Sequence, residues 1–156
     1  MSGITLGWEL DGFVPGCTVA VLSWEWIGSA VDSQLSDVIQ HEFGITGDVA
    51  VYSLRVQLNA IEPGRGPDLA QAPLAGLLID ARYRGLDASG TVLVEQASAQ
   101  WVVRSRSANL LEGSVGVWPV PDEVRSVRLE LAPPASEEGT AALTLDLQDG
   151  TAEHSP

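Results

Sequence analysis

Glu25 sits between Trp24 and Trp26, and it is the residue whose setting comes closest to acid–base chemistry. A carboxyl group in apolar surroundings is kept protonated because burial disfavours its charged form, and that is how a general acid is made. The plainer expectation, and the preferred one, is that Glu25 pairs with an arginine of a neighbouring strand or reaches solvent. Cys17 follows Pro15-Gly16 with no histidine near it in sequence, so a nucleophilic role would need long-range assembly. His41 and Glu42 are adjacent and His154 is far away, which is not the spacing of a zinc site. There is no G-x-S-x-G, no glycine-rich phosphate loop and no calcium loop. No metal or cofactor is expected, and a non-enzymatic role is favoured.

Two features suit recognition better. Arg82 and Arg84, and then Arg104 and Arg106, form R-x-R pairs with both members of each on one strand face. Such a row would grip carboxylates bidentately, unless the chain's own Glu95 or Glu112 takes it first. Trp118 falls on the face of Ser114 and Gly116 beside Pro119, where it would stand as an exposed anchor. The other tryptophans, Trp8, Trp24, Trp26 and Trp101, share faces with aliphatic residues and are expected in the core.

Charge narrows the partners. The chain has no lysine, and its eight arginines all lie between Arg55 and Arg128. Residues 1–54 carry seven acids and residues 129–156 carry six, neither with an arginine, so with histidine neutral the net −13 divides as −7, 0 and −6 along the chain. Nucleic acid and anionic membrane are poor partners for such a field. One cysteine leaves no intramolecular disulfide, the start MSGITLGWELDG lacks the pattern of a secretory signal, and no apolar run is long enough to span a bilayer. A cytoplasmic location is expected.

The elements that must position these residues follow period two. Ala50–Ala60 alternates Tyr52, Leu54, Val56 and Leu58 against Ser53, Arg55, Gln57 and Asn59, as a strand with one wet face does. Further strands are predicted at about residues 4–10, Thr18–Ile27, Leu77–Leu86, Thr91–Val103, Gly113–Trp118, Val124–Leu131 and Ala141–Leu147. Leu77–Leu86 and Thr91–Val103 are expected to form a hairpin around Asp87-Ala88-Ser89-Gly90, with Leu77 opposite Trp101, Arg82 opposite Gln96 and Gly90 in the left-handed region. Asp32–Phe43 carries apolar residues at helical spacing and ends at Gly44, which predicts a helix. Ile61–Pro73 is too long for a hairpin turn and is expected to be a crossover between sheets or a mobile lid. Residues 1–149 thus read as one domain, an all-β antiparallel sandwich of about eight strands with one short helix, and 150–156 as a disordered tail. A closed β-barrel is the alternative.

WPVPDEVRSVRLELAPP, together with the hairpin RYRGLDASGTVL, resembles small bacterial immunoglobulin-like or fibronectin III-like sandwich domains, although the cysteine pair across the sheets is missing. The resemblance implies an architecture and no activity. The functional expectation is a non-catalytic, protein-binding or accessory module, with a protein partner or self-association through strand edges or loops. The alternative is a barrel lined by Trp24, Trp26, Tyr52 and Trp101 that holds a hydrophobic small molecule, as a carrier or a cyclase-type enzyme with Ile61–Pro73 as lid. A third reading is carbohydrate binding at Trp118.

Overall fold

The computed structural model describes residues 3–29, 49–96, 100–134 and 141–155. They form ten strands: β1 (Gly3–Leu10), β2 (Cys17–Ser29), β3 (Val49–Ala60), β4 (Asp80–Leu86), β5 (Val92–Gln96), β6 (Gln100–Arg106), β7 (Leu110–Pro121), β8 (Ser126–Ala132), β9 (Ala141–Asp146) and β10 (Thr151–Ser155). One 3-10 turn at Leu74–Gly76 is the only helical element among the described residues. The helix predicted at Asp32–Phe43 lies outside them.

The strands make two antiparallel five-stranded sheets, β1-β2-β3-β7-β6 and β10-β9-β8-β4-β5. The chain lays down β1, β2 and β3 as a meander, crosses to β4 and β5, returns for β6 and β7, and finishes with the meander β8, β9 and β10. Among the described residues no ladder joins one sheet to the other, so the barrel alternative is overturned and the sandwich stands.

Between the sheets the alternation of apolar residues does what the sequence promised. Leu54, Val56 and Leu58 of β3 and Val127, Leu129 and Leu131 of β8 are fully buried on facing surfaces. Each side chain of that size contributes roughly 1.5–3 kcal/mol by leaving water. Space that a barrel would have kept for a ligand is filled by this aliphatic layer.

Three departures from expectation have local causes. In β2 the residue Leu22 is an extra one, bulged between the pairs Val21↔Val56 and Ser23↔Arg55. A bulge of this kind reverses the alternation, so Val19 and Val21 point inward before it and Trp24 after it. The predicted hairpin is shorter and shifted: Tyr83 lies opposite Gln96 and Arg84 opposite Glu95, with a bulge between Gly85 and Leu86 restoring the pairing Leu86↔Val92 at the turn. β5 ends at Gln96, and Trp101 belongs to β6 of the other sheet. Finally, residues 151–155, expected in a disordered tail, pair with β9 from Thr151↔Asp146 to Ser155↔Ala142.

The turn itself agrees with the sequence. Gly90 has φ +87°, and its amide donates to Asp87 O at 3.1 Å, while the Asp87 amide donates to Thr91 O at 3.0 Å. Asp87 Oδ1 accepts from the amides of Ser89 and Thr91 and from the Ser89 hydroxyl. Those donors favour the ionised form and hold this carboxyl below its ordinary range.

Candidate binding site

The arginine pairs fall on different sheets, so they do not make one row. Arg84 on β4 meets Glu95 at 3.0 Å across the hairpin and lies 4.0 Å from Glu130 of β8. Arg82 is exposed on the same outer face, its Cα opposite that of Glu130. On β6, Arg104 Nε donates to Ser114 Oγ at 2.9 Å. Arg106 reaches further and donates to the carbonyl oxygens of Leu69 and Ala72. Glu112, offered as a partner for these arginines, is taken by Arg55.

Arg106 therefore fastens the segment Ile61–Pro73, which is a crossover between sheets and is tied down along its length. Leu69 is fully buried, its amide donates to Ala108 O at 2.9 Å, and the Ile61 amide donates to Gly16 O at 3.0 Å. Backbone held at this many points is a strap.

Glu25 lies on the outer face of β2, away from Trp24, and accepts from the Ser23 hydroxyl at 3.1 Å. It is only partly buried, without the apolar enclosure that a general acid needs. Cys17 is buried as a free thiol, and burial pushes its pKa up, the direction opposite to that of a nucleophile. Trp118 belongs to β7, in the stretch where the register shifts between Tyr52↔Val117 and Ala50↔Val120, and its side chain lies outside the described ones.

The other tryptophans divide. Trp8 and Trp24 are buried, and Trp101 is partly buried with its Nε1 donating at 2.8 Å to the carbonyl oxygen of Ile79, the residue just before β4 of the other sheet. Trp26, expected in the core, is 47% exposed. It shares the inward face of β2 with Trp24 but stands beyond the aliphatic layer, opposite Tyr52.

Two surfaces emerge that individual sequence motifs did not reveal. The first is made of two strands that each end a sheet. β6 ends one sheet and β5 ends the other, on the side where Trp101 reaches across to Ile79. Val102 of β6 is 57% exposed, and Val92 and Leu93 of β5 are 46% and 43% exposed. Large apolar side chains on strands with an unpaired edge are what a sheet offers to another strand. The sequence signal was present in the run Thr91–Val94 and in Val102-Val103, but only the pairing shows that these strands end their sheets.

The second is a hollow of about 270 Å³ at one end of the sandwich, between Gly3, Ile4, Trp24 and Tyr52 of the first sheet and the β9–β10 turn, Asp146–Gly150. Trp24 and Tyr52 stack with ring centroids 4.8 Å apart and planes 11° from parallel. Burial raises the Tyr52 phenol above its ordinary pKa, so it is a neutral donor at pH 7.

No protein-family model, no curated protein and no solved structure matches the chain. The fold defines its class, a two-sheet antiparallel β-sandwich, and no helix among the described residues is long and apolar enough to cross a membrane.

Proposed function

We propose that this protein is a non-catalytic binding module that takes a protein partner along the β5–β6 side of its sandwich. The observation that carries this is the exposure of Val92, Leu93 and Val102 on the two strands, β5 and β6, that each end a sheet. An extended segment of the partner would add to β6 through main-chain hydrogen bonds, its apolar residues meeting Val102. Arg104 and Arg106 lie further along β6 and would flank it; their links to Ser114 and to the crossover hold that part of the edge in place before anything binds. The likeness to immunoglobulin-like and fibronectin III-like modules is carried over as architecture alone, because the order β1-β2-β3-β7-β6 differs from the immunoglobulin arrangement. A cytoplasmic setting suits a chain whose one cysteine is a buried free thiol.

Native mass spectrometry on protein purified gently from its own source tests the reading. The expected result is a second polypeptide in fixed ratio, lost from the Val102→Lys variant and retained by a control variant on the outer face of β4, Arg82→Lys. A chain that is monomeric and partnerless under those conditions overturns it.

A further inference from the structure

The hollow at the Trp24 end is built wholly from the two parts of the chain that contain no arginine or lysine. Gly3, Ile4, Trp24 and Tyr52 come from residues 1–54, and Asp146–Gly150 from residues 129–156, the stretches with net charges of −7 and −6. Folding brings these ends of the sequence together around a single space. We propose that this space is a binding site for a small organic ammonium ion, a compact cation with alkyl groups on nitrogen.

Each side of the hollow supplies one half of what such a cation needs. The first sheet supplies the aromatic lining: Trp24, almost fully buried, backs Tyr52, which is half-buried. Ring faces attract an alkylated cation through their negative quadrupole and at the same time shelter its methyl groups from water. The second sheet supplies charge. Asp146 Oδ1 accepts the amides of Gln148 at 2.9 Å and Asp149 at 3.0 Å, which holds the Asp146 carboxylate in the tight turn that also carries Asp149. Gly150, at φ +68°, completes the reversal and donates its amide to Asp146 O at 2.9 Å.

Other ligand classes fit less well. An anion would enter a field with no compensating base in the lining. The base that does come to this turn, Arg125, borders an adjoining hollow with Leu147 and Gln148, and its guanidinium donates to Asp122 O at 2.6 Å. A hard metal ion wants about six or more oxygen ligands, and among the described residues no three His, Cys, Asp or Glu side chains converge. The volume lies below the roughly 300–1,000 Å³ of sites for larger ligands, which sets the scale at a compact ion.

Choline and its neutral carbon isostere, 3,3-dimethylbutan-1-ol, separate charge recognition from simple apolar filling. Each is titrated into the full chain while the indole N–H signals of Trp24 and Trp26 are followed by NMR. Saturable shifts with choline are expected, with the isostere binding at least about tenfold more weakly. Asp149→Asn is expected to weaken choline about threefold to fivefold and leave the isostere unaffected. Tyr52→Leu is expected to weaken choline by at least as much, and its unchanged amide spectrum elsewhere would show that the fold survives. Equal affinity for the two probes, no saturation with choline, or displacement of choline by calcium at equal concentration would overturn the proposal.

Discussion

The imidazole of His154 stacks on the indole of Trp8, ring centroids 4.6 Å apart and planes 18° from parallel. These two residues belong to β10 and β1, the strands that end the two sheets on the side opposite β5 and β6. No ladder among the described residues joins that side, so an aromatic contact does the fastening where hydrogen bonds do not.

His154→Ala should therefore loosen β10 without disturbing the rest. A stacked aromatic pair is worth about 0.5–1.5 kcal/mol beyond the area it buries, which corresponds to about a fivefold faster exchange of the β10 amides at the middle of that range. Hydrogen exchange reads this strand by strand, and His154→Phe should restore protection. If both variants exchange alike, the pairing with β9 alone holds the strand.

Gly113 and Gly90 should respond to alanine for different reasons. A Cβ at Gly113 would come within 2.9 Å of the backbone Val102 O of the paired strand β6 and within 3.1 Å of the Trp101 ring, whose Nε1 donates to Ile79 O. At Gly90 nothing lies within 4 Å, but φ is +87°. Gly113→Ala is expected to cost about 1–3 kcal/mol through overpacking, and Gly90→Ala about 1 kcal/mol through backbone strain. Urea denaturation of the double variant Gly113→Ala with Trp101→Leu distinguishes the causes, since removing the indole should relieve the part of the first cost that the ring imposes, leave the part imposed by the Val102 carbonyl, and have no bearing on the cost at Gly90.

How much of this was legible in the sequence depends on the range of the interaction. Leu54, Val56 and Leu58 announced their strand because alternation is local, and Asp87 to Gly90 announced their turn because its hydrogen bonds close within a few residues. The bulge at Leu22 left no local mark, yet it decides which of Val21 and Leu22 points inward. Trp101 looked like the partner of Leu77 in a long hairpin, and only the competition between sheets sends it to β6 while its Nε1 returns to Ile79. Thr151–Ser155 is short and polar, and it is a strand because β9 offers an edge. The hollow was legible only as a pattern of missing arginines at the two ends of the chain, whose meeting depends on the full topology.

Arg106→Ala should free the crossover. Its guanidinium donates to the carbonyls of Leu69 and Ala72, and a hydrogen bond from a charged group contributes about 1.5–3 kcal/mol when sheltered, less where solvent competes. The expected outcome is a loss of about 1–2 kcal/mol with proteolytic cleavage appearing within Ile61–Pro73. Arg106→Lys should recover only part of it, since one ammonium does not span both carbonyls as the planar fork does. Unchanged protease resistance would mean that Leu69 burial is sufficient by itself.

The lack of lysine makes the alkaline limb of stability unusually easy to assign. Below the range of arginine, the side chains that titrate above about pH 8 are Cys17, Tyr52 and Tyr83. Tyr83 is fully buried at the centre of β4, beside Gly85, and burial holds its phenol far above the ordinary value of 10.0. The folded chain thus keeps a proton that the unfolded chain releases once the pH passes that ordinary value. Stability from this group is fully present below it and falls as pH rises toward the folded pKa, by up to about 1.4 kcal/mol per pH unit. Cys17 and Tyr52 are shifted in the same direction by burial and add to the slope. Urea midpoints measured from about pH 8 to 11.5 should fall steeply in the parent chain, and Tyr83→Phe should flatten the curve above about pH 10 even if it lowers stability at neutral pH by removing a buried hydroxyl. Tyr52→Phe should flatten it less, because that ring is only half-buried at the mouth of the hollow. A parent curve that stays level to pH 11.5, or a Tyr83→Phe curve parallel to it, would show that the phenol is not sealed between the sheets.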